Sequence, residues 1–364
     1  MKCILMNKDV EVLTVSFDEK LNEFDKVYEV NNIKYAPLIL SKINDASKIE
    51  FTLSLSNWFK KRSVLTKSQD SENYYLSLSD QYWLKPYEKD VKYENINYFD
   101  NDFEKIYHNN MSLLTGYDSN KFWIIKNGKR YFVKEVFKDE VLEPFHEYLS
   151  SQISKRLGFC YVPYNLGLYK NNIISICPCF IDKDKEYVEA YQILEGIECK
   201  NSYDTYKKYI KLLEEQKIEN AREKVENMFI IDFLMMNEDR NLNNFGVVRE
   251  EGTLKWIDTA PLFDTSHSLV VQDFSQNSVV TSGYAMFFSE LISFDNLIDI
   301  VENIERIDVN KLDGIVDEYY TVLTKYQKYT KVPIERINLE CFLLKRQIDK
   351  LKKLIQTKED KKVR

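Results

Sequence analysis

The chain has 364 residues, 44% of them hydrophobic and 30% charged, enough to build one large core or two to three smaller ones. Its formal charge of −7 and pI near 5.4 argue against wide non-specific binding to nucleic acid or to an anionic membrane, both of which need a positive surface, and leave room only for a local basic patch. No apolar run approaches the roughly 20 residues of a bilayer span, Met1 to Asp9 turns polar too soon for a signal peptide, and six cysteines without a C-x-x-C pair point to a reducing cytoplasm.

Residues 1 to 100 read as a mixed α/β segment. Residues 10–17 alternate apolar and polar side chains in strand fashion, and 34–43 and 51–59 are shorter apolar-rich pieces. The basic cluster Lys60-Lys61-Arg62 with Lys67, and the polar stretch 68–73, read as solvated loop. In 76–86, Asp80-Gln81-Tyr82-Trp83 stands out, with packing of Tyr82 and Trp83 against the core as the default reading.

Residues 112–137 form a first hairpin pattern, with 122–125 and 130–137 as strands and Asn127-Gly128 as the turn. The return strand carries Lys134 between apolar neighbours. Pointing inward, that ammonium needs a carboxylate or a phosphate, because an unpaired buried charge is costly; the competing reading puts it on the solvent face of an edge strand. A helix follows over 143–157, with Pro144 in its first turn, Phe145, Leu149, Ile153 and Leu157 on one stripe, and Gly158 ending it. Glu147 sits beside the stripe and Glu143 near the N-terminus, where an acid is favourable with no catalytic need.

Strands are expected over 161–169 and 173–180, a charged stretch over 182–186, and helices over 203–216 and 221–236. Cys177-Pro178-Cys179 has no His or Cys partner at ligand spacing, so structural zinc is not expected. The nine glycines include no pair two residues apart, which rules out a G-x-G-x-x-G phosphate loop. Beyond residue 269, amphipathic helices are expected over 295–304, 309–325 and 333–353, the last running into a charged tail.

The densest chemistry lies between these halves. An apolar run over 228–236, with Asp232 expected to bond backbone, leads into Asn237-Glu238-Asp239-Arg240-Asn241-Leu242-Asn243-Asn244-Phe245-Gly246. A hairpin over 245–257 then delivers Ala260-Pro261-Leu262-Phe263-Asp264-Thr265-Ser266-His267-Ser268-Leu269, an order that brings Asp239, Asn244 and Asp264 to one mouth. An acid, an Asn five residues on and a second acid about twenty residues later is the order of phosphoryl-transfer sites. It supplies a carboxylate for the substrate hydroxyl proton, an amide ligand for magnesium and a metal-binding carboxylate, hard oxygens that suit magnesium and leave positions for phosphate. Caps and turns are the competing reading of such Asn- and Asp-rich loops.

At these residues Asn-x-Asp-Arg-x-x-x-Asn-Phe-Gly, then Ala-Pro-Leu-Phe-Asp and Ser-Leu, resembles the catalytic and metal-binding segments of HipA-like serine/threonine kinases; phosphatidylinositol kinases share a more distant version. Asn241 stands where that family commonly has His. Asp80-Gln81-Tyr82-Trp83 is similar to a pattern ahead of the kinase core in some members. The resemblance implies that Lys134 contacts the α- and β-phosphates of ATP, that Glu147, with Ser151 four residues on, is its helix partner in competition with Glu143, and that Asp239 is the base. It implies Asn244 and Asp264 as Mg2+ ligands, Cys179 at the hinge that offers backbone groups to adenine, and a phosphate loop over 115–121 with Gly116, Ser119 and Lys121. Ser112, Thr115 and Ser119 are the candidates for autophosphorylation. His-Arg-Asp, Asp-Phe-Gly and Ala-Pro-Glu, found in eukaryotic-type kinases, are absent, so a phosphate-loop switch is more natural here than a Phe flip.

The expectation is an α+β, two-lobed protein-kinase-like fold, divided as an N-terminal α/β extension (1–105), a small β-rich lobe (106–181) and a large helical lobe (182–364). Its function is expected to be ATP- and Mg2+-dependent phosphorylation of itself and of a protein substrate at Ser or Thr. The family's habit adds a toxin role and an antitoxin protein as partner; no membrane and no direct nucleic-acid contact are expected. The alternatives are a lipid or small-molecule kinase using the same acids, and a kinase-fold binding module without turnover.

Overall fold

Runs of β-branched and aromatic residues broken by turn residues open the chain, and runs with helical spacing dominate its second half. The computed structural model describes residues 1–43, 45–62, 74–77, 80–97, 99, 121–126, 129–136, 141–269 and 283–363. In chain order come β1 (Lys2–Asn7), β2 (Val10–Asp18), β3 (Glu23–Val30), α1 (Ile49–Arg62), β4 (Tyr82–Pro86), β5 (Lys121–Lys126), β6 (Lys129–Glu135) and α2 (Glu143–Leu157). Then follow β7 (Asn165–Tyr169), β8 (Asn172–Pro178), β9 (Lys185–Glu189), α3 (Ala190–Leu194), α4 (Ser202–Glu215), α5 (Ala221–Met235), β10 (Gly246–Glu250) and β11 (Trp256–Thr259). The chain closes with β12 (Tyr284–Phe287), β13 (Glu290–Ser293), α6 (Phe294–Asp299), α7 (Ile315–Thr330) and α8 (Ile334–Val363).

The chain divides into two compact units, Met1–Phe132 with Cys179–Glu198 and Gly246–Asp258, and Val133–Pro178 with Cys199–Phe245 and Thr259–Arg364. In the first, β3-β2-β1-β4 form an antiparallel sheet with Leu13 and Leu84 on either side of Leu5. Residues 51–59 prove to be the heart of α1, which packs on β3 and joins Phe59, edge-on, to Phe17 and Phe24 in an aromatic cluster with centroids 5.0–5.2 Å apart. Arg62, at the end of α1, is a structural cation rather than loop solvent: its Nε and Nη2 each donate to Asp80 at 2.7 Å, and it caps the carbonyls of Tyr75 and Tyr82. The indole N–H of Trp83 donates to the Lys8 carbonyl at 2.7 Å. Asp80, Tyr82 and Trp83 therefore work as a buried clip, in keeping with the packing expected of the two aromatics.

Strand β9, unexpected in a charged stretch, pairs with β10 in the sheet β11-β10-β9 of the same unit. Gly246 opens β10 because a Cβ there would fall 2.1 Å from the Val188 carbonyl oxygen. In the second unit the end of β6 leads the order β6-β8-β7. Helix α2 matches its expected span and ends at Gly158 in the left-handed region (φ +76), as helix C-termini favour. Helix α5 is buried along nearly its whole length and is packed by α2, α4, α6 and α8. The helix expected over 309–325 is a short 3-10 turn, Val309–Leu312, then α7, because Gly314 (φ +81) breaks the run. α6 stops at Asp299, whereas α8 runs on through the charged tail to Val363. Among the described residues, no helix is long and apolar enough to cross a membrane.

Candidate active site

All the contacts of the following constellation lie within the second unit. Helix α5 ends when Met236 turns left-handed (φ 50) and the Asn237 N–H returns to the Asp232 carbonyl at 2.9 Å. The Asp232 carboxylate bonds side chains, not backbone as expected: it accepts from Asn237 Nδ2 at 2.8 Å and from the Arg240 guanidinium at 2.8–3.2 Å. Both partners of this ion pair are buried. Burial alone would push the Arg240 guanidinium down, but Asp232 offsets it and holds the group above its ordinary value.

Arg240 spends its remaining donor on the two carbonyls that matter most, Asn244 at 2.9 Å and Phe263 at 2.7 Å. One guanidinium thus fastens the polar loop to the residue before Asp264. Leu262 is fixed independently by paired backbone bonds with Cys160 and Val162, each 2.9 Å. Within the loop, Asn244 Nδ2 donates to the Asp239 carbonyl at 2.9 Å, so the amide's ligand atom toward a cation is its oxygen. Asp239 itself is exposed, and its Oδ1 accepts from Asn241 Nδ2 at 2.9 Å, which orients the carboxylate.

Lys134 points inward, only 8% exposed, and its ammonium lies between Glu147, an ion-pair partner, and Asp264 Oδ1 at 2.6 Å. Burial would push that ammonium down; the Asp264 and Glu147 carboxylates more than compensate, and its pKa stands above the ordinary value. Glu147 is wholly buried and is the partner chosen, while Glu143 lies 3.9 Å from His267 Nδ1. Asp264 has φ +54, a left-handed conformation that Asp tolerates better than most residues, and its N–H reaches the buried Tyr164 hydroxyl at 3.4 Å. The residues after it are anchored in turn: Thr265 N–H to Glu147 Oε2 at 3.4 Å, the His267 carbonyl to Glu238 N–H at 3.1 Å, and Leu269 N–H to the Met235 carbonyl at 2.9 Å.

Of the residues singled out from sequence, Lys134, Glu147, Asp239, Asn244 and Asp264 are thus linked through a continuous set of contacts. Gly116 and Ser119, with Ser112 and Thr115, lie outside the described residues. Lys121 and Cys179 belong to the first unit. Lys121 is exposed at the start of β5. The Cys179 N–H already donates to the Arg130 carbonyl at 2.9 Å, which leaves its carbonyl as the backbone group to offer a ligand, and burial pushes its thiol up. Among the described residues no group of three or more His, Cys, Asp or Glu side chains could hold a metal. The hard oxygens of Asn244 and Asp264 still fit magnesium, which keeps water and phosphate ligands and takes few from protein. Sequence reasoning missed the work of Arg240, Asp232 and Tyr164; the Asp-Arg pair in the motif was a signal for the first.

The fold is similar to two solved structures. One, of a Helicobacter pylori proinflammatory kinase, CtkA, is 20% identical, with a TM-score of 0.48, over 64% of this chain and 90% of that one. The other, from the Shewanella oneidensis toxin–antitoxin complex of HipA, HipB and operator DNA, is 10% identical, with a TM-score of 0.46, over 96% of this chain and 97% of that one. No protein-family model matches the chain, and no curated protein matches it in sequence.

Proposed function

We propose that the chain is an ATP- and Mg2+-dependent serine/threonine protein kinase of the HipA-like type, acting on itself and on a protein substrate. The observation that carries this reading is Lys134, buried between Glu147 and Asp264 when one carboxylate would neutralise it. Lys134 keeps Glu147, its wholly buried partner, and trades the more exposed Asp264 for the α- and β-phosphate oxygens of ATP. Asn244 and Asp264 would hold magnesium, which when bound supplies positive charge against the phosphate oxygens. Asp239, oriented by Asn241 and open to solvent, accepts the proton of the acceptor hydroxyl.

The same proposal keeps Gly116, Ser119 and Lys121 as phosphate-binding residues and Cys179 as an adenine-binding residue, roles that the family resemblance implies. Residues 106–181 act as the small lobe and 182–364 as the large one, with 1–105 as an extension. A cytoplasmic toxin role with an antitoxin partner belongs to the same proposal, and co-purification with a neighbouring protein tests it.

The deciding experiment incubates purified protein with γ-labelled ATP and magnesium beside Asp239→Asn and Asp264→Asn variants, and maps the phosphorylated residue by mass spectrometry. Label on a Ser or Thr, lost in both variants, is the expected result. ATP binding with neither label nor hydrolysis would move the assignment to a lipid or small-molecule kinase or to a module without turnover.

A further inference from the structure

One position before Glu147 on α2, His146 is buried and both of its ring nitrogens meet oxygen: Nδ1 stands 2.8 Å from the Ser266 carbonyl and Nε2 3.0 Å from Glu340 Oε2 on α8. A carbonyl only accepts, so Nδ1 carries a hydrogen. Glu340 is wholly buried and also accepts from Arg336 at 2.6 Å and from the Tyr319 hydroxyl of α7 at 3.4 Å. The ring therefore bridges the Ser266 carbonyl on one side and Glu340 on the other.

Arg336 also reaches the Leu269 carbonyl at 3.3 Å. Helix α8 thus grips both ends of 266–269, one through Glu340 and His146, the other through Arg336. The residues just ahead of that span supply Asp264 to Lys134 and the Thr265 N–H to Glu147.

We propose that His146, through Glu340, is a positioning residue that sets α2 and the segment 264–269 in register, so that α8 governs the alignment of Lys134, Glu147 and Asp264. Its catalytic consequence rests on the phosphotransfer reading; its structural consequence does not.

The test uses the full chain as wild type, His146→Gln and Glu340→Gln, with two readouts. Amide exchange followed by mass spectrometry is expected to quicken about ten-fold in 264–269 of both variants while α7 and α4 stay protected. Phosphate transfer, measured well below the melting temperature, is expected to lose about ten-fold in kcat with a KM for Mg–ATP within about two-fold, the scale on which supporting partners of metal ligands act. Unchanged exchange in 264–269, or exchange quickened equally throughout the unit, overturns the proposal, the second because it marks a merely structural role. A wild type that neither binds nor turns over Mg–ATP defeats the kinase reading, and the exchange pattern then decides the positioning role alone. Should His146→Gln not fold, Glu340→Gln carries both readouts.

Discussion

Lys134 concentrates the residue-scale energetics. Removing one member of a buried ion pair leaves its partners uncompensated and typically costs about 3 kcal/mol. Lys134→Met is expected to lose that much in urea unfolding, because Glu147 and Asp264 would then face each other without a cation. Burial already pushes the Glu147 carboxyl above its ordinary range. An acid raised in the folded state gains stability as pH falls, so the gap between variant and wild type should be narrower at pH 5 than at pH 8. Glu189, in the first unit, gives a cleaner pH test: burial pushes its carboxyl up to about 7, against the lowering effect of the Gln192 amide. The folded state then binds more protons than the unfolded one between the ordinary carboxyl value and about 7, so stability falls as pH rises through that window. Glu189→Gln is expected to raise the melting temperature at pH 8, on the order of 1 kcal/mol of stability, and to do little at pH 4; an equal effect at both would refute the assignment.

At the scale of elements, two glycines separate conformation from contact. Gly158 ends α2 in the left-handed region with open space around its missing side chain, so Gly158→Ala should cost only the backbone strain, about 1 kcal/mol. Gly246 has no such freedom: a methyl would collide with the Val188 carbonyl and force β10 away from β9, so Gly246→Ala should cost more, roughly 3 kcal/mol. Chemical denaturation of the two variants side by side orders them. The loop after α5 follows a different logic, because the Asp232–Arg240 pair replaces regular structure as its scaffold. Arg240→Lys keeps the charge but not the fork that reaches Asp232, Asn244 and Phe263 together, and phosphate transfer should fall at least about ten-fold in that variant.

For the whole molecule, ligand linkage supplies the test. A ligand bound to the folded chain at a hundred times its Kd stabilises by about 2.7 kcal/mol. Mg–ATP is expected to raise the melting temperature accordingly, and chelation of magnesium should remove most of the gain. Asp264→Asn should abolish the magnesium-dependent part, whereas Asp239→Asn, which leaves the proposed metal ligands alone, should keep it. A melting temperature indifferent to Mg–ATP in the wild type would contradict the nucleotide reading.

Much of this was legible in order and spacing alone. The apolar run into Asn237, the acid–amide–acid order of Asp239, Asn244 and Asp264 and the span of α2 follow from periodicity and local chemistry, because each depends on neighbours a turn or a hairpin away. Tertiary structure decided which charges meet. It chose Glu147 over Glu143, turned Asp232 toward Arg240, made Arg62 and Asp80 a clip, and joined His146 to Glu340 across 194 residues of sequence. Composition cannot specify such pairings, since every acid suits every base until packing excludes water and decides which partners lie within reach of each buried charge.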